Sequence, residues 1–553
     1  MSRLFLISSI ATSVFLTACG GGSSSSKDDD PISTISPVSP ITVPQAPIFD
    51  DSILVSAKDF FTGQPVENAV IKLSWETSNG NASSTATTDQ LGSATVGMDT
   101  DPNSLVISAD STGYAEFGRS LTSDTTNYSV LLIPIDASIT FDAAQPIDLT
   151  IDDATIIELP ASAFETASGT LYEGDIIAEI TIIDPRIDPS LMPGEFQSID
   201  GTTGEIANIE SFGAINATFT DENGESLQLA SGQVATIKIP LASYSDSAPE
   251  NIPLFYYDED SGYWIEEGTA TLTFINDEYY YVGSVSHFTT WNADQVYDTV
   301  YLDGCVTDTD GLAVAGAKLS SSGLDYTGTS YVTTDVGGDF SIPVKINSLV
   351  RLKASLNGQL SSSREVTTGA SNNTLEDCFE IKPVDVSISL TWGSNPSDLD
   401  SHLEGPDFHL YYVNESISIN DQEIFIDVDD TDSFGPEITY ISGFPSDGTY
   451  TYSVYQYDGS GDIQASPARV SLVQGSNTNI FQPPSGSPTE CWHVFNLNVS
   501  NGISTVETLN TWGDAQSCYG SVDFDETEGP DAEASLAAAS VYRAANFQVK
   551  TKK

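Results

Sequence analysis

The chain is short of positive charge. Against 79 Asp and Glu it sets 18 Lys and Arg, a formal net charge of −61 over 553 residues. A surface of that sign repels phosphate backbones and anionic membranes, so nucleic acid is excluded as a partner. Histidine is scarce as well, and none of His287, His402, His409 or His493 has a glutamate three positions on. The His-x-x-Glu and His-Glu-x-x-His spacings of zinc peptidases are therefore absent. Helical periodicity is missing before the last residues of the chain, and the apolar run from Leu4 to Leu16 is too short to span a bilayer. What remains is 39% hydrophobic and 10% aromatic residues, enough apolar surface to fold in spite of the charge.

Almost every segment after residue 50 is a short apolar alternation bounded by Gly, Asn, Asp or Pro, which predicts an all-β chain. The length exceeds what one core serves. The expected fold class is a series of tandem β-sandwich domains on a disordered N-terminal stalk. The divisions read from the sequence are a signal peptide over 1–18, a stalk over 19–50, and a sandwich over 51–135. A larger β domain then covers 136–296, with a sandwich over 297–385, another over 386–520, and a tail over 521–553. The stalk is Gly, Ser, Asp and Pro with scattered Ile and Val, a composition that stays extended.

Arg3 and the apolar run that follows read as an export signal. Its end, Leu16-Thr17-Ala18-Cys19, resembles the lipobox of bacterial lipoproteins. The resemblance implies that Cys19 is acylated and tethers the chain to a membrane of the cell envelope. Gly20 after it is compatible with outer-membrane sorting. An exported chain meets an oxidising compartment. Four cysteines then allow three connectivities, and locality favours Cys305 with Cys378 and Cys491 with Cys518, each pair inside one domain.

Residues 51–135 repeat in 299–385. Gly63-Gln64-Pro65-Val66-Glu67-Asn68-Ala69 lines up with Gly311-Leu312-Ala313-Val314-Ala315-Gly316-Ala317, and Thr88-Asp89-Gln90-Leu91-Gly92 with Thr334-Asp335-Val336-Gly337-Gly338. Each copy carries a turn glycine, an apolar strand and an Asp-x-x-Gly reversal. Both resemble the carboxypeptidase regulatory-like (transthyretin-like) β-sandwich, which implies a scaffold without chemistry of its own. The larger domain between them closes on His287-Phe288-Thr289-Thr290-Trp291-Asn292-Ala293-Asp294, similar to a segment that precedes such sandwiches in surface proteins. His287 there is expected to pack against Trp291.

Candidate chemistry lies in 386–520. Asp398, Asp400 and His402 share one face of an extended segment, and a second acidic cluster follows at Asp427, Asp429 and Asp430. Carboxylates that converge repel one another, and a bound Ca²⁺ with oxygen ligands relieves this. Two solvated acidic loops are the other reading. An EF-hand is ruled out, because the sixth and twelfth positions from Asp427 are Asp432 and Ile438 where glycine and glutamate are required. Trp392 to His402 and Asp427 to Glu437 together resemble an uncharacterised YfaP-like β module of bacterial surface proteins. That resemblance implies fold and envelope location and no activity. The tyrosines of Gly448–Tyr455 are expected to pack as a sheet face rather than stack on sugars. The chain thus reads as a membrane-anchored envelope protein that binds a protein or glycan ligand, not an enzyme. A structural spacer or assembly factor is the second reading, and a metal-dependent hydrolase the third.

Overall fold

Alternation sets strand after strand. In Val386–Thr391 the side chains of Val386, Ile388 and Leu390 are at most 1% exposed and face the core, while Ser387 and Ser389 turn away. The computed structural model describes residues 51–520, except 78–79, 99–103, 122–124, 201, 246–247, 432 and 476. The stretches read as signal peptide, stalk and tail, with Cys19, lie outside the described residues. Among those described, the helices are one 3-10 turn, Pro189–Leu191, and one α-helix, Ala515–Tyr519. None is long and apolar enough to cross a membrane.

The hydrogen-bonded sheets fall into four groups along the chain. A three-stranded and a four-stranded sheet make the first, over 51–132. Their counterparts over 299–383 make the third. The fourth, over 386–513, packs a six-stranded sheet on a five-stranded one. The second group departs from a two-sheet sandwich, because its strands over 137–296 join into one eleven-stranded sheet, apart from Phe164–Thr166 and Leu227–Leu229, which pair with each other. The 16-residue strand Ile206–Asp221 bridges its halves, pairing with Asp175–Ile183 on one side and Thr290–Val296 on the other. A bulge between Ser211 and Ala214 bends that strand, and Gly213 sits in it at φ 118, where an added Cβ would collide with the Pro240 carbonyl. The sheet thereby curls around one core that includes Leu149, Ile180, Ile215, Ile237 and Trp291. His287 packs its ring 4.9 Å from that of Trp291 and 4.7 Å from that of Tyr256.

The two copies of the repeat agree bond for bond at their central turn. Thr88 Oγ1 accepts from Ala69 N–H at 2.9 Å and donates to the Val66 carbonyl at 2.7 Å. Thr334 does the same with Ala317 at 2.9 Å and Val314 at 2.7 Å. In both copies the following Asp caps its own reversal, and Gly92 and Gly338 hold the left-handed position at φ 70 and 76. The copies differ in covalent linkage. Cys305 and Cys378 are bonded in the second copy and Cys491 and Cys518 in the fourth group, with Cα separations of 4.5 and 5.6 Å.

Consecutive groups are locked by polar contacts. Arg119 donates to the Met192 carbonyl at 3.1 Å and pairs with Glu195, Lys345 pairs with Glu210 at 2.5 Å, and Asp427 accepts from Ser363 N–H and Oγ–H at 2.9 and 2.8 Å. The first and fourth groups also meet. Lys58 Nζ donates to the Thr478 carbonyl at 3.2 Å, and Arg469 donates to the Phe60 carbonyl at 2.8 Å with its guanidinium 4.3 Å over the Phe60 ring. The described residues 51–520 accordingly belong to one compact unit.

Candidate metal centre

Strand Asp398–Gly405 begins the site. Leu399 and Leu403 enter the core, and Ser401 joins them with its hydroxyl 2.7 Å from the Tyr452 hydroxyl. His402 faces the other way and is still only 1% exposed. The Cys491–Cys518 disulfide, Tyr411, Tyr455 and Tyr519 form a cluster against this outer face. Beneath it His402 Nδ1 and His409 Nε2 lie 3.0 Å apart. Burial holds both rings neutral. It pushes His402 well below the usual histidine range, with the neighbouring His409 adding to this, and brings His409 to about 4.

The facing sheet brings its acids by an irregularity. Strands Gln422–Val428 and Glu437–Ile441 pair in register as far as Ile426 opposite Thr439, and a bulge then sets Val428 opposite Ile438. Asp427 is the extra residue. Asp429 comes level with Glu437, and Asp427 is left to bond Ser363 in the preceding sandwich. Oxygens of Asp400, Asp429 and Glu437 all lie within 4.8 Å of one another. Asp400 is 3% exposed and Glu437 1%, while Asp429 is open to solvent. Glu437 Oε2 accepts from Ser401 N–H at 2.6 Å, and its Oε1 has no hydrogen-bond partner. Burial first, then the charges of Asp429 and Asp400, push its carboxyl well above the usual range.

The acidic set expected from the sequence is therefore corrected. Asp398 and Asp400 do not meet Asp427 and Asp430 on adjacent strands, because Asp398–Gly405 and Gln422–Val428 belong to opposite sheets. Of the six residues singled out, Asp400 and Asp429 come together. Asp398 starts its strand opposite Asp458, and Asp427 is held by Ser363. His402 is turned to His409 rather than to the carboxylates. Asp430 lines a cleft, where its charge adds to burial in raising the Tyr244 hydroxyl. Glu437 is the member that sequence reasoning missed. The Gly-Pro-Glu run ending at Glu437 is the available signal, and EF-hand spacing does not reach it. Tyr450 and Tyr452 are fully buried in the core and offer no platform for sugars.

His493 is a further residue the sequence did not mark. Its Nδ1 lies 2.8 Å from Ser453 Oγ and its Nε2 3.0 Å from Ser517 Oγ. This is not the arrangement of an activated nucleophile. Ser517 Oγ–H donates to the Asp514 carbonyl at 2.6 Å, and the nitrogen opposite Ser517 meets a serine where a triad places a carboxylate.

Asp429 also borders a cleft of ≈ 530 Å³ between three groups of sheets. Arg186 and Tyr244 line it from the second, Arg351 and Lys353 from the third, and Asp429 and Asp430 from the fourth. Arg186 pairs with Asp184 at 2.7 Å and Arg351 with Glu365 at 3.0 Å. Lys353 bonds the Tyr440 hydroxyl, and burial lowers its ammonium to about 8 against the opposing pull of Asp427.

No known family profile matches the chain. Cartilage intermediate layer protein 1 of Sus scrofa is 30% identical over 117 residues, covering 20% of this chain and 19% of that protein. Its counterpart in Mus musculus is 28% identical over 121 residues, covering 21% and 10%. The match thus spans a fifth or less of these relatives. Among solved structures, BcpA, the major pilin subunit of Bacillus cereus, covers 60% of this chain and 99% of its own at 6% identity and TM-score 0.14. A streptococcal ancillary pilin covers 43% and 89% at 12% identity and TM-score 0.13. Such overlaps add nothing to the all-β architecture already visible in the sheets.

Proposed function

We propose that this chain is a non-catalytic binding protein of the cell envelope, tethered through lipid on Cys19, that holds a protein or glycan ligand in the cleft between its second, third and fourth groups of sheets. The observation that carries the reading is the cleft itself. Its walls come from three separate stretches of chain and exist only because those groups pack together. Cations project from two walls and carboxylates from all three, Asp188, Glu365, Asp429 and Asp430 among them, which suits a polar ligand better than an apolar one. A spacer is less well supported, because a chain built for reach gains nothing from contacts such as Lys58 with Thr478 that bring its first and fourth groups together.

Binding of the full chain to a glycan array and to intact cells tests the reading. Saturable binding that Arg351→Glu weakens at least tenfold is expected. A chain that binds nothing, yet whose loss disturbs another envelope complex, would favour the assembly reading instead. Palmitate labelling tests the anchor, and Cys19→Ser should abolish it.

A further inference from the structure

The geometry points to a calcium site formed by Asp400, Asp429 and Glu437 across the two sheets of the last sandwich. The inference stands apart from the cleft's ligand. Three carboxylates within 4.8 Å are not enough by themselves in so acidic a chain. Glu437 supplies the second observation. It is 1% exposed, one of its oxygens accepts from the Ser401 N–H, and the other has no hydrogen-bond donor. Thr439, two residues on along the same face of the strand and also 1% exposed, likewise leaves its hydroxyl without a partner. Buried oxygens in native proteins are nearly always satisfied, so a buried carboxylate oxygen left without a donor beside two further carboxylates marks the place of a missing positive partner.

The donor set names the ion. Calcium takes six to eight oxygens at about 2.3–2.6 Å, so ligands on opposite sides of one ion stand about 4.6–5.2 Å apart. The three carboxylates fit within one such shell. All donors are hard oxygens, and His402 is directed to His409, which disfavours zinc and copper. The exposure of Asp429 leaves one side open for water to complete the coordination. Because the oxygens come from both sheets, the ion would clamp the end of the sandwich beside the cleft.

The test is calcium titration of the chelator-treated full chain by calorimetry, in about 0.15 M salt to screen the acidic surface, with terbium luminescence sensitised by the nearby tyrosines as a second readout. One saturable site is expected. Glu437→Gln, which keeps an acceptor for Ser401 N–H, and Asp429→Asn, an exposed change that leaves the core alone, should each weaken it at least tenfold and dim terbium emission. Asp427→Asn should leave it unchanged. Zinc should not compete. Equal affinity in wild type, Glu437→Gln and Asp429→Asn, the absence of any saturable site, or loss of binding in Asp427→Asn alone would overturn the proposal.

Discussion

Carboxyl groups crowd together as a half-buried pair at one place in this molecule and as a triad with one exposed member at another. At the joint of the first and second groups, Glu116 meets Glu259, and burial followed by the charges of Glu259 and Asp110 raises Glu116 to about 8. One shared proton settles that pair: a neutral carboxyl donates to its ionised partner, and a single negative charge is left with no second carboxylate facing it. In the last sandwich the meeting is between three groups, Asp400, Asp429 and Glu437. A single proton placed there leaves two carboxylates facing each other at a corner open only on the side of Asp429. The pair is a proton site and the triad a cation site, and the surroundings follow suit. Arg119 and Lys72 pair with acids at the first joint, whereas a disulfide and a layer of tyrosines brace the strand behind the second cluster.

The largest expected effect separates the two through the disulfide. Cys491→Ala with Cys518→Ala opens a loop spanning 27 positions and is expected to cost about 2–4 kcal/mol. Hydrogen exchange should show the loosening in the last sandwich and not at the Glu116 joint, since no disulfide lies in the first copy of the repeat. Calcium comes next. At about a hundredfold excess over its dissociation constant it should stabilise the last sandwich by about 2.7 kcal/mol and leave the joint untouched, as read by denaturant unfolding with calcium and with chelator.

Acidity should act the other way round. The folded-state value for Glu116 lies above that of an unfolded glutamate, so the folded chain holds the extra proton between about pH 4.5 and 8. That contribution is fully present below the unfolded value and is lost as pH rises through about 8, with a slope of at most about 1.4 kcal/mol per pH unit. Glu116→Gln should flatten the slope in stability measured against pH. The smallest effect is that of Asp427→Asn, which weakens the bonds from the Ser363 N–H and hydroxyl and should cost about 1 kcal/mol. Unfolding of this variant should respond to calcium as wild type does. A lost response would put Asp427 back into the site.

The all-β class, the repeat and both cysteine pairings could be read from the sequence because each rests on local pattern. Thr88 and Thr334 occupy matching places in aligned segments, and each cysteine finds its partner within its own sandwich. Asp400 was legible for the same reason, as one of three polar side chains alternating on a strand. The remainder of the site depends on what alternation cannot express. The bulge at Asp427 moves Asp429 into place, and Glu437 arrives from the next strand of the facing sheet. The curling of the second group rests on the Gly213 bulge in a strand that pairs on both sides. The meeting of Lys58 with Thr478 joins positions 420 residues apart, and no local signal foretells it.

A crystal structure of the full chain grown with calcium, and with terbium to locate the ion by anomalous scattering, tests the contrast between pair and triad most directly. The account predicts one strong peak bounded by Asp400, Asp429 and Glu437 and none between Glu116 and Glu259. An empty triad with its carboxyl groups turned apart, or an ion at the Glu116–Glu259 joint instead, would contradict it.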